Sequence, residues 1–338
     1  MLLPLWFKTA LFTSIFNLMN KYFAGLFLGI FITYIFCVWF TTLADPEVYF
    51  WKTLGKNKIE YAEKLSSQGK PKIHFLGGSS CTFSIRPDIL KAYGLDSVNM
   101  GMHAGMGALF NVGFGLSMVE QGDVIIIALE PGILCGLIEP TSLGINTAVA
   151  MGHKEWAVGD DLINRKLTYR EQFNALRPGG RRIITNFFKW LLKIRPYRYK
   201  LDETDEAGWC RISYDLEQAH PVNNLNKKYD LGDQGIILLK AIAEYAESKS
   251  AHVYYIAPWQ LTKPSAKEHY KALNQHYLND ISQIIPVLYD GYLGVSTNSE
   301  WYADTIWHLT TEGSRIRTEA LAEVLIPQLV KDGWLKNQ

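Results

Sequence analysis

The sequence has no surplus of either charge. Lys and Arg number 34 and Asp and Glu 33 over 338 residues, a formal net charge of +1. Without a basic excess to neutralise phosphates, nucleic acid is not an expected partner. Cysteine is scarce: Cys37, Cys81, Cys135 and Cys210 are the four present, and none form a C-x-x-C pair. That pattern gives no support for a zinc site or a thioredoxin-like motif. His74, His153, His220, His252, His269 and His276 have no partners at metal-ligand spacing, so no metal or other cofactor is expected. The G-x-S-x-G nucleophile elbow is missing as well.

What the chain does have is apolar residues, 48% of the total, with aromatics at 13% including 10 Trp and 18 Tyr. Such aromatics line carbohydrate or acyl sites, or simply fill cores. The length suffices for one large domain or two ordinary ones. From Tyr22 to about Thr42 no charge interrupts the sequence, and about 20 such residues cross roughly 30 Å of hydrocarbon as a helix. Trp39 and Tyr22 sit near its ends, as interfacial aromatics do. A cleaved signal peptide has a shorter apolar core of about 7–15 residues, so a retained anchor over residues 1–45 is the expectation. Residues 1–20, apolar apart from Lys8, read as an interfacial helix or a cytoplasmic lead-in. Lys8 and Lys21 precede the span and Lys52, Lys56 and Lys58 follow it, so basic residues alone do not orient it.

After the anchor, residues 46–70 read as a polar linker or helix. From 71 onward strands and helices alternate. Apolar runs at 72–76, 97–100, 123–129 and 252–257 predict strands, and helices are expected near 88–93, 108–120, 231–247, 266–284 and 311–331. The β-branched run Asp123–Leu129 suits a strand buried on both faces. Together these predict an α/β fold, a three-layer sandwich with a mostly parallel sheet, whose active site lies at the carboxyl ends of the strands. The stretch at 140–226 reads as an insertion. It holds the turn Arg177-Pro178-Gly179-Gly180-Arg181-Arg182 and the amphipathic run 187–194 (FFKWLLKI), which either touches the membrane surface or packs on the domain.

Three short blocks carry chemistry. Gly77-Gly78-Ser79-Ser80 follows the first strand, where glycines permit a sharp turn that exposes a hydroxyl; the alternative is a serine that only caps the next helix. Asp304 and His308 are four apart on the approach to the last helix, a spacing at which a carboxylate can orient an imidazole as general base. Between them, Asn99-x-Gly101 follows the second strand. There the Gly101 N–H, with that of Ser79, is a candidate oxyanion donor, or else the glycine serves packing. His103 adjoins this block as a candidate substrate contact.

In that order along an α/β chain, these blocks resemble the SGNH (GDSL-like) hydrolase superfamily, most of all its membrane-anchored DltD-like and alginate O-acetylation branch. The resemblance implies the Ser79/Asp304/His308 triad, with Ser79 rather than Ser80 as nucleophile, Ser80 beside it, and Asn99 and Gly101 in the glycine block. It also implies an extracytoplasmic catalytic domain, an acyl donor delivered by a membrane-bound O-acyltransferase, and a polysaccharide or polymer acceptor at the cell surface. Two departures stand out. The family's Gly-x-Asn-Asp block is replaced by Ala128-Leu129-Glu130-Pro131, so Glu130 either steers an acceptor amine or hydroxyl or is a buried carboxylate paired with an arginine. The Asp–His spacing is one residue longer than the family's. Acyl transfer through an acyl-serine is the expected function. The alternatives are an esterase or deacetylase with water as acceptor, and a non-catalytic scaffold of a polymer-modification complex.

Overall fold

The β-branched run at 123–129 becomes the middle of a five-stranded parallel sheet. The structure is a computed structural model and describes residues 5–335 except 159, 164–165, 167, 176–186, 190, 193–196, 213–217 and 222–228. The sheet strands are β1 (Ile73–Gly77), β2 (Ser97–Asn99), β3 (Val124–Ala128), β4 (His252–Ile256) and β6 (Val287–Leu288), in the order β2-β1-β3-β4-β6. β1 and β3 pair from Ile73 with Val124 to Gly77 with Ala128. A separate parallel pair joins β5 (Gln260–Leu261) to β7 (Val295–Ser296).

Alternation along β3 explains the layers, because successive strand residues face opposite sides. Ile125 and Ile127 pack beneath α5 (Ala108–Leu116), α11 (Asp233–Ser248) and α12 (Lys267–Ser282). Val124 and Ile126 face Leu321, Leu325 and Leu329 of α13 (Thr311–Lys331) and Leu90 of α4 (Pro87–Ala92). The three-layer α/β architecture read from the sequence is therefore the one observed.

Two segments resolve readings that the sequence left open. α2 (Pro46–Ser66) is capped by Asp45, which accepts from the Glu47 N–H at 3.0 Å, and is the helix of the two readings of residues 46–70. Trp51, Leu54 and Ala62 on its inner face are wholly buried, in one cluster with Phe110 and Phe114 of α5 and Ile145 of α7 (Ser142–Met151). Its polar appearance misleads because even Lys58 is buried. Residues 5–20 form no separate element. α1 runs unbroken from Leu5 to Trp39 and a π-helical turn carries it to Ala44. From Asn17 to Ala44 it is long and apolar enough to span a membrane.

The region 140–226 holds α7, the short helices α8 (Glu155–Val158) and α9 (Asp160–Ile163), and α10 (Tyr169–Ala175). Phe173 of α10 stacks on Tyr34 of α1 at 5.7 Å, and Phe187 lies 6.4 Å from Phe36. Phe187 of the amphipathic run thus meets α1, while Phe188, Leu191 and Leu192 are exposed. The turn at 177–182 lies outside the described residues.

α13 is locked to the sheet by a buried ion pair. Arg317 donates to Asp290 and, at 2.9 Å, to the Ala257 carbonyl, while the Trp259 Nε1–H donates to Asp290 at 2.7 Å. Both charged side chains are 2% exposed. Removing one member of a buried pair strands the other charge, so Asp290→Ala should cost about 3–5 kcal/mol in urea unfolding of the full chain.

Candidate active site

Two buried Asp–His pairs exist among the described residues, and they lie at opposite ends of the strands. His74 on β1 meets Asp123 at 2.9 Å, and Lys72 also reaches that carboxylate at 3.1 Å. This cluster is sealed at the amino ends of the strands, with His74 and Lys72 wholly buried and Asp123 nearly so. The second pair lies at the opposite, carboxyl ends, where β1 passes into the turn that carries Ser79.

That turn depends on its glycines. A side chain on Gly77 would strike the Ala128 carbonyl of the neighbouring strand at 2.5 Å. One on Gly78 would collide with the Glu130 carboxyl. The backbone is thereby free to reverse and begin α3 (Ser79–Ser84) at Ser79, which is 5% exposed.

Asp304 and His308 meet on the loop ahead of α13. Their loop is closed at its base by an antiparallel bridge between Tyr302 and Leu309, and within it the Ala303 N–H donates to the His308 carbonyl at 2.9 Å. His308 Nδ1 lies 2.8 Å from Asp304 Oδ1. Two further donors fill the other carboxylate oxygen, Arg198 Nη1 at 2.7 Å and the Tyr199 hydroxyl at 2.9 Å. The Tyr199 proton is committed to Asp304, so its 3.3 Å contact with His308 Nδ1 leaves the Nδ1 proton to His308. That places the lone pair on Nε2, the state a general base requires. Burial alone would raise the Asp304 pKa. The hydrogen bond and charge of His308, with Tyr199 and Arg198, outweigh it and hold the carboxyl below its ordinary value.

The same loop lies across α3. The His308 ring is 4.5 Å from that of Phe83, one turn beyond Ser79, and the Ser84 hydroxyl reaches the Trp307 carbonyl at 3.5 Å. The loop that holds Asp304 and His308 is thus packed on the helix that opens with Ser79, 225 positions before Asp304 in the chain. No hydrogen bond joins Ser79 Oγ to His308 among the described residues. In resting sites such bonds are often long and tighten with substrate bound.

In the glycine block it is the packing reading that the contacts favour. The Gly101 N–H donates to Asn99 Oδ1 at 3.0 Å, so that donor is already engaged. Asn99 also donates to the Cys81 and Ile85 carbonyls at 2.9 and 2.8 Å, tying β2 to α3. The Gly101 carbonyl accepts from buried Lys58 of α2, whose pKa burial lowers to about 8. Gly101 lies so close to Cys81 and Thr82 that any side chain would clash. Its glycine is required by packing, and Asn99 braces β2 against α3.

His103 is nearer the chemistry. The Gly105 N–H donates to its Nδ1 at 2.9 Å, which leaves Nε2–H as donor. Burial, with the neighbouring charges of His308 and Arg198, lowers its pKa to about 4, so it stays neutral. Glu130 accepts the Ser80 N–H at 2.9 Å, and no Arg or Lys pairs with it among the described residues.

Sequence reasoning missed Arg198, Tyr199 and Lys58. The first two come from a region without periodicity, and Lys58 looked like one more exposed lysine of a polar helix. Neither a family model nor a curated protein matches the sequence. Among solved structures, a chain described as "a putative platelet activating factor" from Streptococcus pneumonia is similar at 12% identity and a TM-score of 0.38, over 84% of this chain and 94% of that one.

Proposed function

We propose that the protein is a membrane-anchored acyltransferase of the SGNH type that works through an acyl-Ser79 intermediate. The observation that carries this reading is the Asp304–His308 pair, tautomer-fixed and laid against the helix that opens with Ser79. His308 Nε2 takes the Ser79 proton as Oγ attacks the donor's acyl carbonyl. The imidazolium, stabilised by Asp304, returns that proton to the leaving group. In the second half an acceptor hydroxyl gives its proton to His308 and displaces the acyl group from Ser79. The Ser79 N–H remains to receive the developing oxyanion, and His103 supplies a neutral donor beside the base.

α1 supports a membrane-held enzyme. On this reading, which here follows the family resemblance, the domain lies on the extracytoplasmic side and a membrane-bound O-acyltransferase delivers the donor. A surface polysaccharide is the acceptor on this reading. With water as acceptor the same residues make an esterase. Aryl acetate turnover, followed with and without a glycan acceptor, separates the two. Acyl transfer predicts acetylated glycan and a faster release of the phenol, whereas unchanged release and no modified glycan indicate the esterase.

One observation favours a third reading, a scaffold without turnover: the Gly101 N–H is already occupied by Asn99. Failure of a serine-reactive fluorophosphonate to label folded wild-type protein would support it.

A further inference from the structure

Glu130 stands at the carboxyl end of β3, one strand over from the turn that carries Ser79, and is 4% exposed. Its Oε1 accepts the Ser80 N–H at 2.9 Å. Its Oε2 has no hydrogen-bond partner among the described residues and lies against Gly78. The carboxyl therefore touches the residues on both sides of Ser79. We propose that Glu130 is held as an uncharged carboxylic acid, a positioning residue that fixes the Ser79 turn and keeps it free of negative charge while an oxyanion forms. This rests on the acyl-serine reading above.

The reasoning is electrostatic. A buried carboxylate without a cation is costly, and it gains a proton instead. Among the described residues, the groups facing Glu130 offer no compensating ion pair. Ser80 and Cys81 face it from α3, and Tyr255 from β4, whose hydroxyl is spent on the Leu129 carbonyl at 2.7 Å. The one charge that favours ionisation is that of His308, from the loop before α13. Burial prevails over these contacts and raises the Glu130 pKa. The two oxygens divide accordingly, Oε1 as carbonyl acceptor for Ser80 N–H and Oε2 as the protonated oxygen.

An ionised carboxylate here would oppose the oxyanion gathering at the Ser79 N–H. The sign follows from linkage. The folded protein keeps this proton above the pH at which an exposed glutamate loses it. The stability it contributes is complete below the unfolded pKa and is lost as pH rises through the folded one. Reactivity should fall over the same range.

The test uses the full chain in detergent, comparing wild type with Glu130→Gln and Glu130→Ala. At neutral pH the wild type should show the infrared carbonyl stretch of a protonated carboxyl that E130Q lacks. Labelling by a fluorophosphonate should fall on the alkaline side in wild type, and that limb should vanish in E130Q. E130A should label about a hundredfold more slowly, the cost of a reacting group displaced by roughly 1 Å, and E130Q should recover most of that loss. A missing band, or an E130Q profile with the wild-type alkaline limb, overturns the proposal. Wild type that never labels overturns the acyl-serine reading instead, and the infrared comparison still decides the state of Glu130.

Discussion

Ser79→Ala is expected to lower aryl acetate turnover by about 10⁴- to 10⁶-fold, with thermal unfolding unchanged within a few degrees. The size of the effect follows from the chemistry. Ser79 Oγ is the atom that bonds to the acyl carbon, and no other group at the site replaces it. Ser80 is its neighbour, but its N–H is fixed to Glu130 and it stands one residue further into α3. Ser80→Ala should therefore retain most of the activity, within about tenfold. If S80A rather than S79A removed turnover, the nucleophile would have to move one position along the helix.

Asp304→Asn is the second large effect, about 10⁴-fold in kcat, and its cause is a forced tautomer. Asp304 receives three donors: His308 Nδ1–H on one oxygen, Arg198 and Tyr199 on the other. An asparagine has a single oxygen, and two donors compete for it at the Arg198/Tyr199 side. The amide nitrogen then faces His308 and donates to Nδ1. Nδ1 loses its proton, Nε2 gains one, and the imidazole can no longer accept from Ser79. The fold should be little disturbed, because the carboxamide occupies the same volume. A D304N variant with wild-type kcat would show that the pair is structural, as the buried His74–Asp123 cluster is.

Much of the architecture was legible in the chain. β3 was readable because a β-branched strand covered on both faces needs no alternation, and the helices over 311–331 and 231–247 carried apolar residues at helical spacing. The Asp304/His308 pair was readable because both members lie on one short loop. Other parts depend on contacts that no local pattern encodes. Arg198 and Tyr199 reach Asp304 from more than 100 positions away. The donor status of Gly101 turned on where the Asn99 side chain points, and a glycine motif alone does not specify that. The burial of α2 was not legible because it arises from tertiary packing of Trp51 and Leu54, with Lys58 drawn in beside them. β6 has only two residues and follows a proline, too little for a strand signal.

The central claim is that acyl groups pass through Ser79, and peptide mass analysis after fluorophosphonate labelling of folded full-length protein tests it most directly. The prediction is one stoichiometric adduct on the peptide containing Ser79, fragmenting to Ser79 itself, and abolished in D304N and in His308→Ala. An adduct on Ser80, or none in protein that unfolds cooperatively, would contradict it.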